Sequence, residues 1–350
     1  MHFSKNVQLY GRMNKFRYYA SIALLLLIAM PSPVLANDLV ASPFFIHNQS
    51  PIIQIFGLPP AEGGQITPPG RTKLRLVVDV SNNFTADKSA EESVLFDGET
   101  SRITLSFRRG FGDSWEGGID IPVVSHQGGM LDGLIENWHD TFGLPQGGRD
   151  NAPRNRLHYS YQQEGEKEGL NFSNSGTGIG DTSIYLAYQL NRKTTAVRRY
   201  IALRGGIKFP SGDTDQLRGS GGTDFHLRLA ASDGETLKVY NLTLFASMGA
   251  LWLGKGEILS DKQHQNVGFG SIGLVWTPLK RFTFKVQIDG HTAFFGDSHL
   301  KQIDSPSAQL AIGGTINLSD NLALDLCVVE DIIVDTAPDV TFHAALTYLY

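Results

Sequence analysis

The sequence predicts an all-β protein, an antiparallel transmembrane β-barrel of the outer-membrane type with about twelve strands. Three observations carry that expectation. Apolar and polar residues alternate through most of the chain after residue 72. Short turns alternate with long polar connections. Aromatic residues bracket the longer apolar faces at a spacing that matches the thickness of a bilayer.

The amino terminus comes first. Residues 1–21 carry Lys5, Arg12, Lys15 and Arg17 and no acidic residue, and Ile22–Met30 is an unbroken run of nine apolar residues. Pro31-Ser32-Pro33-Val34-Leu35-Ala36 follows, so residues 1–36 read as a signal peptide cleaved after about Ala36. Nine residues are too few to cross roughly 30 Å of hydrocarbon as a helix. Losing the four leader cations takes the formal net charge from −5 to −9, a balance that argues against a nucleic-acid partner. Cys327 is the single cysteine, which excludes an intramolecular disulfide and a lipid anchor at the cleavage site.

Residues 37–72 combine proline with apolar residues in a form unlike a strand. They read as a segment ahead of the barrel, placed to plug its lumen or to lie beneath it. The barrel itself is expected over 73–350. Its early strands are marked by Leu74, Leu76, Val78 and Val80, by Ile103, Leu105 and Phe107, and by Ile119, Ile121 and Val123. Ile184, Leu186, Tyr188 and Leu190 mark the next, then Ile201, Leu203, Ile207 and Phe209, then Phe225, Leu227 and Leu229. The last six runs lie near 237–253, 266–278, 281–295, 307–318, 321–331 and 340–350.

Alternation alone does not separate a membrane barrel from a soluble sandwich, which turns its apolar face inward. Connection lengths do. Turns near 110–113, 191–195, 232–235, 278–280 and 319–320 are short. Connections over 81–93, 126–178, 211–223, 254–265, 296–306 and 332–339 are longer and more polar. Strict alternation is the pattern of periplasmic turns and extracellular loops, with the longest extracellular loop at about 126–178.

Aromatic spacing agrees. Tyr240 and Trp252 bracket one face, and Phe282 and Phe294 another, each pair twelve residues apart. At ~3.3 Å per residue and a tilt of about 40°, that spacing rises on the order of 30 Å. With Trp276, Tyr348 and Tyr350, these residues are expected at the lipid–water interfaces. The last strand, TFHAALTYLY, ends on Tyr350 and is expected to close the barrel, because an open edge in lipid leaves backbone groups unsatisfied. His343, Ala345, Tyr348 and Tyr350 also resemble the signal read by the barrel-assembly machinery, which is the protein partner expected.

Two resemblances follow. Phe111-Gly112-Asp113-Ser114-Trp115-Glu116-Gly117-Gly118-Ile119-Asp120-Ile121-Pro122-Val123 is similar to a turn and strand found in a large class of bacterial outer-membrane barrels. Gly178-Ile179-Gly180-Asp181 and Ile207-Lys208-Phe209-Pro210-Ser211-Gly212-Asp213 share the likeness. That class includes transporters linked to aromatic-compound degradation. Asn48-Gln49-Ser50-Pro51, Ile55-Phe56-Gly57-Leu58-Pro59 and Phe142-Gly143-Leu144-Pro145-Gln146-Gly147-Gly148-Arg149 more closely resemble an uncharacterised family of outer-membrane barrels, domain of unknown function 3187. His47 stands where that family's pattern suggests arginine. The resemblance implies a barrel and no activity.

Candidate chemistry is sparse. Gly176-Thr177-Gly178-Ile179-Gly180 precedes a strand, whereas a dinucleotide fingerprint opens a helix. Asn171-Phe172-Ser173-Asn174-Ser175-Gly176 lacks the histidine that an outer-membrane phospholipase signature needs to activate its serine. The ten histidines show no metal-ligand spacing. No catalytic residue, metal or cofactor is therefore expected.

Opposite the aliphatic face fall Arg75, Asp79, Arg108, Asp120, Asp181, Arg204, Lys208, His226, Arg228, Lys285, Asp289, His291 and Asp325. Arg204, Lys208, Arg228, Lys285, Asp289, Asp181 and Asp325 are the candidate lumen-lining residues. They either line a path for a solute or pair across the lumen and hold the wall together. Met130, Leu131, Leu134, Ile135, Trp138 and Phe142 are spaced as one face of a short helix, a rim helix or a lid. The function expected is a passive channel or transporter for a small solute in the cell outer membrane. The alternatives are a non-conducting structural or assembly-linked barrel and a lipid-modifying enzyme.

Overall fold

The computed structural model describes residues 42–129, 155–166, 169–191, 198–332 and 336–350, together with Gly133 and Pro153. The leader, the helix expected over 130–142, the second Phe-Gly-Leu-Pro and most of the 191–195 turn lie outside the described residues.

Twelve antiparallel walls close into a barrel. In order they are β1 (Thr72–Lys88), β2 (Glu92–Phe111), β3 (Trp115–Gln127), the pair β6 (Gly176–Ile179) and β7 (Thr182–Gln189), and β8 (Arg199–Phe209). β9 (Asp224–Asp233), β10 (Leu242–Trp252), β11 (Asn266–Leu279) and β12 (Phe282–His291) continue, followed by β13 (Ser307–Asn317), β14 (Leu322–Asp331) and β15 (Val340–Leu349). β6 and β7 act as one wall. Both pair with β3, and Gly180 bridges their break by donating its amide to the Pro122 carbonyl at 2.9 Å. The remaining two strands, β4 (His158–Gln163) and β5 (Leu170–Phe172), extend the far end of β2 instead of joining the wall.

Closure is made at the chain's last strand. β15 pairs with β1 from Lys73↔Leu349 to Asn82↔Val340. Beyond that ladder, the Thr72 amide donates to the Tyr350 carbonyl at 2.8 Å and the Tyr350 amide to the Thr72 carbonyl at 2.9 Å. The edges that lipid would leave unsatisfied are thus joined.

Side chains divide by parity, as a period of two requires. Leu76, Leu105, Leu186, Leu229, Met248, Ile272, Phe284 and Ile312 are exposed on the outer face, while the opposite parity is polar and buried. A polar interior under an exposed apolar belt is the reverse of a sandwich and fits a lipid solvent.

Four sequence expectations need correction. The first extracellular connection is not a long loop over 81–93: β1 runs to Lys88 and β2 begins at Glu92, so a 17-residue and a 20-residue strand form one hairpin. The polarity of 81–93 reflects a hairpin that outruns the belt, where β4 and β5 then pair to it. Strands also occupy parts of 126–178. The connection between β9 and β10 is longer than 232–235, and Tyr240 sits in its 3-10 turn, Lys238–Tyr240, not on the strand. Tyr240 is nonetheless exposed.

Phe294 is the fourth correction. It is 1% exposed and packs against Phe56 and His291, with ring centroids 5.3 and 5.0 Å away. β12 ends at His291, so the parity that predicts an outward ring stops three residues too early. Trp252, Phe282, Tyr348 and Tyr350 are exposed, and Trp276 is half-buried against Phe284.

Candidate functional site: the occupied lumen

Residues 42–68 do not pair into the sheet. Pro43, Pro51, Pro59, Pro60 and Pro68 lack amide donors and fix φ, so the segment cannot form a wall strand. Its remaining backbone groups are buried and need partners. Inward wall side chains supply them.

The Phe44 amide donates to Gln287 at 2.8 Å, Gly57 to Asp224 at 2.7 Å and Gly64 to Ser232 at 3.0 Å. Ile66 donates to Gln189 at 3.2 Å and Thr67 to Glu116 at 2.6 Å. Carbonyls are met by cations. Arg228 donates to Pro60 at 2.7 Å, Arg204 to Gly63 at 3.1 Å and to Gln65 at 2.9 Å, and Lys208 to Ile55 at 3.4 Å. The Asn48 side chain contacts His291 at 2.9 Å, Ser307 and the Thr336 carbonyl. Apart from Thr336, these partners lie on β3, β7, β8, β9, β12 and β13, on opposite sides of the ring, which places the segment inside it.

The path is a hairpin. Pro43 lies beside Gly63 near the short-turn end, and Pro69 bridges Gly110 at that same end. A single helical turn at 50–54 reverses the chain, and the Ala61 amide ties the returning arm to the Ile46 carbonyl at 3.1 Å. Gly57 has to be glycine: a Cβ there would stand 2.9 Å from that of Asp224. At the long-loop end Ile52, Ile55, Phe56 and Leu58 join Phe96, Tyr159, Phe172, Leu253, Phe294 and Phe295 in one buried apolar cluster. That cluster draws β4, β5 and the loop residues over the lumen, through burial worth roughly 25 cal/mol per Å² of apolar surface.

Charge is arranged differently at the centre. Glu62 is the only Asp, Glu, Lys or Arg between residues 42 and 70. Its carboxylate lies 3.6 Å from each of Arg108, Arg204 and Arg228. Burial pushes the Glu62 carboxyl up, but these arginines, joined by Arg75, outweigh it and hold the group well below the usual carboxylate range. His47, the segment's other titratable group, is pushed well down by burial and by Arg102 and His343, so it stays neutral. Aromatic contacts add to the centre. The Arg75 guanidinium lies 4.2 Å over the Phe45 ring, and Lys285 lies 5.0 Å over Phe44.

The candidate lumen residues fall as follows. Lys208 pairs with Asp181 at 2.8 Å and Asp224 at 3.1 Å, and Lys285 with Asp325 at 3.0 Å. Arg204 pairs with Glu116 at 2.7 Å as well as with Glu62. Arg228 lies 3.6 Å from Glu62. Asp289 accepts a hydrogen bond from Gln287 at 2.7 Å and forms no salt bridge among the described residues. Of the wider inward set, Arg108 pairs with Asp120 at 2.7 Å and Asp79 with His343 at 2.7 Å. Among the described residues, cavities of about 60, 30 and 20 Å³ lie between the segment and the wall. Each of these spaces holds a few waters at about 10–15 Å³ apiece, and none is large enough for a solute.

Glu62, Glu116, Asp224, Gln189 and Gln287 are absent from the sequence-derived set. Glu116 shares the inward parity of Asp120, so strand register identifies it. Glu62 has a subtler signal, a lone carboxylate in a proline-rich apolar stretch.

These features define an outer-membrane-type β-barrel whose lumen is occupied by its own amino-terminal segment. The chain belongs to the DUF3187 family, described as a protein of unknown function, whose model matches residues 20–350. No curated protein matches the sequence. Among solved structures, the COG4313 outer membrane channel from Pseudomonas putida F1 is similar at a TM-score of 0.54 and 10% identity, covering 82% of this chain and 98% of that one. The NanC porin gives 0.44 and 9%, over 79% and 98%. The Pseudomonas putida toluene transporter TodX gives 0.35 and 10%, over 90% and 95%. At these identities the likeness concerns the fold.

Proposed function

We propose that this chain is an outer-membrane channel for a small solute, held closed by residues 42–68 acting as a plug. The carrying observation is the way the segment is seated. It crosses the lumen on hydrogen bonds, one shared ion cluster and the apolar contacts at the long-loop end, without entering the sheet, so leaving breaks no wall ladder. The likeness in fold to the COG4313 outer membrane channel supports the same reading. A second reading has its own observation: the cavities of at most about 60 Å³ fit a sealed structural barrel equally well.

Planar-bilayer recording separates the two. The full chain is expected to show brief, rare openings, and a chain lacking residues 42–68 a steady conductance. A folded, plugless barrel that stays silent would favour the sealed reading.

A further inference from the structure

We propose that the arginine cluster under the plug is a binding site for a carboxylate-bearing solute, and that Glu62 occupies it as a resident surrogate. The inference rests on the plugged-channel reading and names the solute class for that lumen.

The argument turns on what each arginine keeps when the plug leaves. Arg108 and Arg204 retain wall carboxylates, Asp120 and Glu116, each at 2.7 Å. Among the described residues, Arg75 and Arg228 have no wall carboxylate within 4 Å; Asp120 and Asp325 act on Arg75, and Asp289 on Arg228, only at longer range. Arg228 is held by Pro60 and Glu62, and Arg75 by the Phe45 ring and, at 3.3 Å, the Thr347 hydroxyl. Pro60, Glu62 and Phe45 all belong to the plug. Even with the plug seated, Nη1 of Arg75 and Nε of Arg228 are buried without a hydrogen-bond partner. A vacated lumen therefore presents two guanidinium groups with no carboxylate in contact, an arrangement that is costly until an anion fills it.

Geometry selects the anion. A guanidinium presents a planar fork of N–H donors that matches a carboxylate. Glu62 stands at 3.6 Å from each of its arginines, well beyond the 2.7 Å of the wall pairs, so it neutralises the cluster without satisfying those forks. A free carboxylate able to move closer competes on good terms. Phe45, over Arg75 at 4.2 Å and Arg108 at 5.8 Å, marks room beside the anion for an apolar body. The cavity of about 60 Å³ lined by Glu62, Arg75, Arg204 and Lys73 also reaches Leu349, at the short-turn end.

The first test uses the full chain in detergent. Glu62→Ala removes the surrogate and is expected to lower the thermal midpoint. Propionate should then restore it saturably, and chloride at equal ionic strength should not. An unchanged midpoint, or one that propionate raises no more than chloride does, overturns the site. The second test records the barrel lacking residues 42–68 in a salt gradient. Anion preference and saturable block of chloride current by propionate are expected, and Arg75→Glu with Arg228→Glu should abolish both. Conductance with no preference and no block overturns the carboxylate site and leaves the channel standing. Silence from a folded plugless barrel overturns the channel, and the rescue result then decides the anion site by itself.

Discussion

Glu62 concentrates the account in one side chain. Its carboxyl is depressed in the folded state, so its contribution to stability is complete above the unfolded carboxyl value of about 4.3 and is lost only as pH falls through the lower folded value. Acidification from pH 7 to 4.5 is therefore expected to leave the segment seated, read as unchanged protection of residues 42–68 from protease. Glu62→Gln leaves three guanidinium groups without that charge and should destabilise the barrel by about 3 kcal/mol, the lower end for breaking a buried ion pair. A titration that frees the segment near pH 5 would show that another group holds it. The inward parity of Arg75, Arg108, Arg204 and Arg228 was legible in the sequence, because a strand's period of two sorts its faces locally. Their shared partner was not. Glu62 meets them only because a segment outside the sheet folds back through the ring, a tertiary relation with no local period.

At the scale of elements, parity reads well where a strand is long and fails where one ends. Leu76, Leu105 and Leu229 face outward as the alternation requires. Phe294 does not, because β12 stops at His291 and the chain then turns into the apolar cluster. The 81–93 connection was misplaced for a related reason: residues of a hairpin that projects beyond the lipid belt become polar, and polarity alone looks like a loop. The terminal strand was fully legible. Tyr348 pairs with Leu74 on one side and Leu322 on the other, and Tyr350 exchanges both hydrogen bonds with Thr72. Deleting Tyr348–Tyr350 removes the last rungs of this closure and the aromatic part of the expected assembly signal. The truncated chain is expected to be exported yet unassembled and protease-sensitive in whole cells. Normal surface assembly would mean that closure does not depend on the terminal aromatics.

For the whole molecule, two structures share one chain: a wall whose backbone closes on itself, and a core that the wall's polar side chains hold. In a soluble protein the core is apolar throughout. Here the large apolar cluster lies at the long-loop end, around Phe56, and elsewhere small apolar contacts of Phe44, Phe45, Ile46 and Ile66 with the wall sit within a lattice of hydrogen bonds and ion pairs. A polar lattice can be exchanged for water or solute at smaller cost than an apolar core, and this difference supports the proposal that the seated segment is a gate and not a permanent filling. The central claim is that movement of residues 42–68 controls conduction. A reversible lock tests it most directly. A Cβ on Gly63 would stand 2.8 Å from the Ser232 hydroxyl oxygen, so Gly63→Cys with Ser232→Cys places two sulfurs within reach of a bond after small adjustment, away from the buried Cys327. Single-channel recording of this variant is expected to show no openings when oxidised and the parent's openings after reduction. Equal conductance in the two states would contradict the account.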